Sequence, residues 1–140
     1  MSNKLLLDQN GAFATITIND PDNGNRVSDE MAAALTNLIN ETQTNNQFII
    51  LKSAGSAFCM GRAVMGEKKG PLPEALEMRN KFDVVFDLYE SFRNSQIPVI
   101  GIIQGEAHGF GAALAALTDI TICSENAKFS LPETSHNIMP

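Results

Sequence analysis

Several features that would mark a common class of protein are scarce or missing in this chain. Only two cysteines occur in 140 residues, Cys59 and Cys123, with no CxxC pair and no histidine at ligand spacing. That argues against a zinc site or a disulfide framework, predicts two reduced, partly buried thiols and leaves no metal expected. Basic residues are outnumbered, ten Lys and Arg against sixteen Asp and Glu, giving a net charge of −6 and a pI near 4.8. Phosphate neutralisation needs clustered cations, so no nucleic-acid partner is expected; the one local basic patch is Arg62 with Lys68 and Lys69. Long apolar runs are missing too. Met1-Ser2-Asn3-Lys4 leads into a short apolar stretch that ends at Asp8, so neither a signal peptide nor a membrane span is expected, and the chain reads as soluble and cytoplasmic.

What is present suits one globular domain over residues 1–140, because 44% of the residues are hydrophobic and can fill a core. Leu5-Leu7 and the alternating Phe13-Ala14-Thr15-Ile16-Thr17-Ile18 predict a hairpin that ends at Asp20-Pro21-Asp22-Asn23-Gly24. Ser28 is placed to cap a helix whose apolar face is Met31, Leu35, Leu38 and Ile39. Phe48-Ile49-Ile50-Leu51 reads as a fully buried strand. Glu67 to Pro71 reads as an exposed, mobile loop. A helix is expected from about Pro73 to Asn94, with Met78, Phe82, Val85, Phe86 and Tyr89 as its core stripe. Strand Val99-Ile103, helix Ala112-Leu117, strand Thr118-Cys123 and the segment Lys128-Phe129-Ser130 follow. The repeated order strand, strand, helix marks an α/β architecture, superhelical rather than doubly wound, although no sequence-identical repeat accompanies it.

Two small-residue segments stand where strands end. Gly105-Glu106-Ala107-His108-Gly109-Phe110-Gly111 joins Val99-Ile103 to a helix, and Ser56-Ala57-Phe58-Cys59-Met60-Gly61-Arg62 follows the strand at 48–51. A glycine-rich turn before a helix aims unpaired N–H groups at an anion or simply permits close packing. Taken with Asn25-Arg26-Val27-Ser28, Pro98-Val99-Ile100, Ala116-Leu117-Thr118-Asp119-Ile120 and Asn126-Ala127-Lys128-Phe129-Ser130-Leu131-Pro132-Glu133, they form an ordered set over nearly the whole chain. This set resembles the crotonase (enoyl-CoA hydratase/isomerase) superfamily.

The resemblance implies a ββα spiral and an acyl-CoA thioester substrate, with coenzyme A as part of the substrate and no other cofactor. It places the backbone N–H groups of Arg62 and Phe110 in an oxyanion hole and makes Glu133 the catalytic carboxylate. Arg26, Ala57, Met60, Gly61, Gly109 and Lys68 would line the substrate and CoA site, and His108 or His136 could assist. Family hydratases use two glutamates, and the first falls here on Ala113, which cannot move a proton. The resemblance therefore implies isomerase-type proton transfer by one glutamate. An atypical hydratase, hydrolase or decarboxylase, or a CoA-binding or assembly protein without catalysis, remain the alternatives. Ala63 replaces a usual aspartate in the first loop, and Phe110 replaces a usual glycine in the second. Complete family members continue past the segment matching Ile138-Met139-Pro140 into helices that cover the acyl pocket. The chain is thus expected to be truncated before its C-terminal helical region, with a homotrimer or hexamer expected at full length.

Overall fold

Alternation at the start of the chain becomes a two-sided hairpin. The computed structural model describes residues 3–63 and 74–136. Strands β1 (Leu5–Asn10) and β2 (Phe13–Ile18) pair antiparallel, with Ala14, Ile16 and Ile18 fully buried and the intervening Phe13, Thr15 and Thr17 half-buried. Helix α1 (Asp29–Thr42) begins where the Ser28 hydroxyl accepts a hydrogen bond from the Met31 N–H at 3.2 Å, and Asp29 and Glu30 place negative charge in its first turn. Met31, Leu35 and Ile39, four residues apart, are its buried stripe. Each such side chain contributes about 1.5–3 kcal/mol on full burial.

The remaining elements are β3 (Phe48–Ser53), α2 (Ala75–Arg93), β4 (Val99–Ile103), β5 (Glu106–His108), α3 (Phe110–Ala116), β6 (Ile120–Cys123) and β7 (Lys128–Ser130). A 3-10 turn over Pro132–His136 follows. The main sheet has the order β1-β2-β3-β4-β6, parallel from β2 onward. A smaller parallel stack forms beside it: Cys59 bridges Ala107 on β5, and β5 pairs with β7. Each turn of chain thus adds one strand to the main sheet (β3, β4, β6) and one to the small stack (Cys59, β5, β7). That is a ββα spiral, in which successive turns lay equivalent loops side by side.

Several boundaries and faces differ from the sequence expectations. β3 alternates, with Ile49 and Leu51 buried but Phe48 and Ile50 half-buried, because only one face of the main sheet meets the core. Among the described side chains of α2 the buried apolar residues are Val85, Leu88 and Phe92, with Tyr89 half-buried, whereas Phe82 and Phe86 are 45% and 54% exposed; the side chain of Met78 lies outside the described residues. Val85 and Tyr89 face the core as expected, but Leu88 and Phe92 complete the stripe where Phe82 and Phe86 were expected. Cys59 is buried as expected, but Cys123, on edge strand β6, is exposed. Residues Glu67 to Pro71, including Lys68 and Lys69, lie outside the described residues.

Candidate functional site

The loop after β3 is held from below by the segment after β2. Asn25 is fully buried with φ +53°, its side-chain amide donating to the carbonyls of Ala54 (2.7 Å) and Ala57 (2.8 Å) while its Oδ1 accepts from the Asp20 N–H (2.9 Å). Asparagine tolerates this left-handed backbone better than most residues. Exposed Arg26 donates from Nη1 to the Met60 carbonyl at 2.6 Å, and the Met60 N–H donates to Gly24 at 2.9 Å. Val27 then bridges Arg62 in parallel: its N–H reaches the Gly61 carbonyl, and its carbonyl accepts from the Ala63 N–H, both at 3.0 Å. In a parallel bridge of this kind the N–H of the middle residue points the other way. The Arg62 N–H is therefore turned from Val27 and has no partner among the described residues.

Across from it stands the start of α3. The Gly109 N–H donates to Ser130 of β7 at 2.8 Å, and the Ala113 N–H reaches back to the Gly109 carbonyl at 3.0 Å, closing the first turn. The Phe110 N–H, one of the first-turn donors without an intrahelical acceptor, also has no partner among the described residues. Gly111 lets this turn sit directly on the first loop, since a Cβ there would fall on the Cys59 carbonyl. The glycine turn and the small-residue loop are thus packed backbone to backbone.

Glu133 arrives from the 3-10 turn after β7. Its carboxylate lies against Gly109, where a Cβ would collide with Oε1, and its Oε2 is buried with no hydrogen-bond partner among the described residues. A buried carboxylate oxygen left unsatisfied is costly, so this oxygen calls for a hydrogen-bond donor. Gly109 has φ +51°, so glycine serves both the backbone and the carboxylate at this position.

The side chains of the two junction residues stack. The Arg62 guanidinium lies 5.9 Å from the centre of the Phe110 ring and also pairs with Asp29 at the start of α1. On the same ring packs Tyr89 of α2, 5.9 Å away and inclined by 22°. Burial pushes the Tyr89 phenol up from its ordinary range; Arg62 opposes this and Glu133 adds to it, so the hydroxyl lies in the field of both charges. Ala113 faces a depression of about 560 Å³ that Ala112, Ala116, Phe129, Ser130 and Leu131 complete. Its lining is mainly apolar. A smaller polar depression between α1 and α2, about 280 Å³ and lined by residues such as Thr36, Asp87 and Glu90, includes none of these residues.

Of the other residues singled out in the sequence, the His108 imidazole has Glu106 as its neighbour, 4.0 Å away. Both lie on the face of β5 opposite buried Ala107. The Ala57 carbonyl is held by Asn25 and by the Ser53 hydroxyl at 3.2 Å. The Cys59 thiol lies 3.5 Å from the Gly61 carbonyl, and burial raises it from an ordinary 9 to about 11, which keeps it protonated. Lys68 and the side chain of His136 lie outside the described residues. Sequence reading gave Asn25 no separate role and gave Tyr89 only a core one. The polar tip of Tyr89 on an otherwise apolar stripe was the signal available for it, and an asparagine directly after Gly24 in a turn was the signal for Asn25.

The chain matches the enoyl-CoA hydratase/isomerase family over residues 8–140. It belongs to that family. It is 30% identical over 143 residues to the short-chain-enoyl-CoA hydratase of Clostridium acetobutylicum, a match covering 99% of this chain and 53% of that protein. It is 28% identical over 129 residues to the 1,2-epoxyphenylacetyl-CoA isomerase of Escherichia coli, covering 90% and 49%. The crystal structure of an enoyl-CoA hydratase/isomerase from Marinobacter aquaeolei superposes with a TM-score of 0.88 at 28% identity, covering 98% of this chain and 55% of that one. The ββα spiral is therefore the crotonase fold, and this chain spans about half the length of the relatives it matches.

Proposed function

We propose that this chain carries the thioester-activating part of an acyl-CoA enzyme that shifts a double bond by single-carboxylate proton transfer. One observation carries the reading: the N–H groups of Arg62 and Phe110, without partners among the described residues, belong to two segments packed backbone to backbone, with the Glu133 carboxylate against Gly109, the residue before Phe110. The thioester oxygen would accept from both N–H groups. As Glu133 takes a proton from the substrate carbon chain, charge moves onto that oxygen, and fixed backbone donors stabilise it without reorganising. The double bond moves by one position, and Glu133 returns the proton to the far carbon of the enolate. No atom is gained or lost, and no cofactor beyond the CoA of the substrate is invoked. Bulky Phe110 keeps the donor because only its N–H is used; its ring is engaged with Tyr89 and Arg62.

Ala113 favours isomerisation over hydration. A hydratase needs a second proton-handling group to split water across the double bond, and this position offers a methyl group beside an apolar depression. By the family resemblance, the whole protein would work in the cytoplasm as a homotrimer or hexamer. The test supplies a 3-enoyl-CoA and, separately, a 2-enoyl-CoA. Conversion of the first to its conjugated isomer without hydration of the second is expected, and Glu133→Gln should lower the rate by roughly 10²–10⁴-fold. Hydration of the 2-enoyl-CoA at a comparable rate would overturn the isomerase assignment.

A further inference from the structure

Tyr89 is the sole tyrosine of a chain without tryptophan, and the reaction proposed above gives it no task. It sits on α2, yet its ring stacks on Phe110, which also carries the Arg62 guanidinium. The residue before Phe110 is Gly109, against which the Glu133 carboxylate lies with Oε2 buried and without a hydrogen-bond partner among the described residues. A phenylalanine would supply the same stacking; the hydroxyl is what remains to be explained. Resting on the acyl-CoA reading, we propose that Tyr89 is a positioning residue for Glu133, its hydroxyl donating a hydrogen bond to the carboxylate when an acyl thioester occupies the site.

A phenol suits this task because it donates and stays neutral. Burial and the Glu133 charge hold the proton on the oxygen well above neutral pH, although Arg62 pulls the other way. No proton is transferred from Tyr89. The bond orients the carboxylate and satisfies the buried oxygen, offsetting its desolvation cost. In a site that has alanine at position 113, it supplies the second polar group beside the base.

Two measurements on the 140-residue chain test the proposal. Tyrosinate absorbance titrates Tyr89 without interference, since there is no other tyrosine or tryptophan; Glu133→Gln should lower its midpoint by removing the facing negative charge. Tyr89→Phe should lower kcat for the double-bond shift at least about tenfold with KM unchanged, the rate equivalent of one hydrogen bond to a charged group. An unmoved midpoint in Glu133→Gln, or an unchanged kcat in Tyr89→Phe while Glu133→Gln is inactive, overturns the role of Tyr89 and leaves that of Glu133 standing. Failure of the unmodified chain to turn over any 3-enoyl-CoA, or full activity of Glu133→Gln, overturns the acyl-CoA reading itself and this role with it.

Discussion

Gly109 and Glu133 constrain each other, and the consequence differs for stability and for activity. A Cβ at position 109 meets the far end of a flexible side chain, which can swing away, so the steric cost of Gly109→Ala is small and the strain at φ +51° dominates. A loss of about 1–3 kcal/mol is expected by chemical denaturation. The displaced carboxylate should cost far more, roughly a hundredfold in double-bond shift, because a base moved by an ångström is no longer poised for transfer. Comparable losses in the two measurements would mean that Gly109 serves the backbone alone. Cys59 gives a second prediction. The folded state keeps its proton to about pH 11, whereas the unfolded chain releases it near 9. The contribution is therefore fully present below pH 9 and is lost as pH rises to about 11, by up to about 2–3 kcal/mol. Denaturation midpoints of the parent chain and Cys59→Ala across that window check it, the variant showing the shallower alkaline decline.

At the level of elements, the decisive contact is between the first turn of α3 and the loop it rests on. Gly111 differs from Gly109 in what an added methyl would strike, the Cys59 carbonyl, a backbone group fixed by its hydrogen bond from the His108 N–H at 2.9 Å. Gly111→Ala should therefore separate helix from loop, cost about 1–3 kcal/mol by overpacking and weaken acyl-CoA binding, measured by calorimetry. Unchanged binding would show that the juxtaposition is not needed. The elements themselves were legible in the sequence: alternation at 13–18, the Ser28 cap and the glycines around 109 each act within a few residues. The face of α2 was less legible. Its apolar residues occupy more of the circumference than one stripe, and only packing selects 85, 88 and 92 over 82 and 86. Tyr89 escaped for the same reason, since periodicity assigns a residue to a face and not its hydroxyl to a carboxylate 44 positions later.

For the whole molecule, the spiral explains how residues remote in sequence share one place. Each turn lays its second strand beside that of the turn before, so Cys59, Ala107 and Phe129 come into register, and the loops that follow them bring Arg62, Phe110 and Glu133 together. The one-residue bridge at Cys59 is too short to leave a periodic signal, which is why that segment reads as a loop in the sequence. At the last strands Ile120, Ile122, Phe129 and Leu131 are exposed, each by about half, although their pattern would place them in a core. A local reading cannot tell a buried strand from one at the end of the stack. If this arrangement stabilises an enolate made by Glu133, hydrogen exchange reads that enolate without any change of product. The chain is incubated with a saturated acyl-CoA in D₂O, and deuterium at the carbon next to the thioester is followed by mass spectrometry. Incorporation by the parent chain is expected, and roughly a hundredfold less by Glu133→Gln with the thioester still bound. Equal incorporation by both, or none by the parent chain while it binds the thioester, would contradict it.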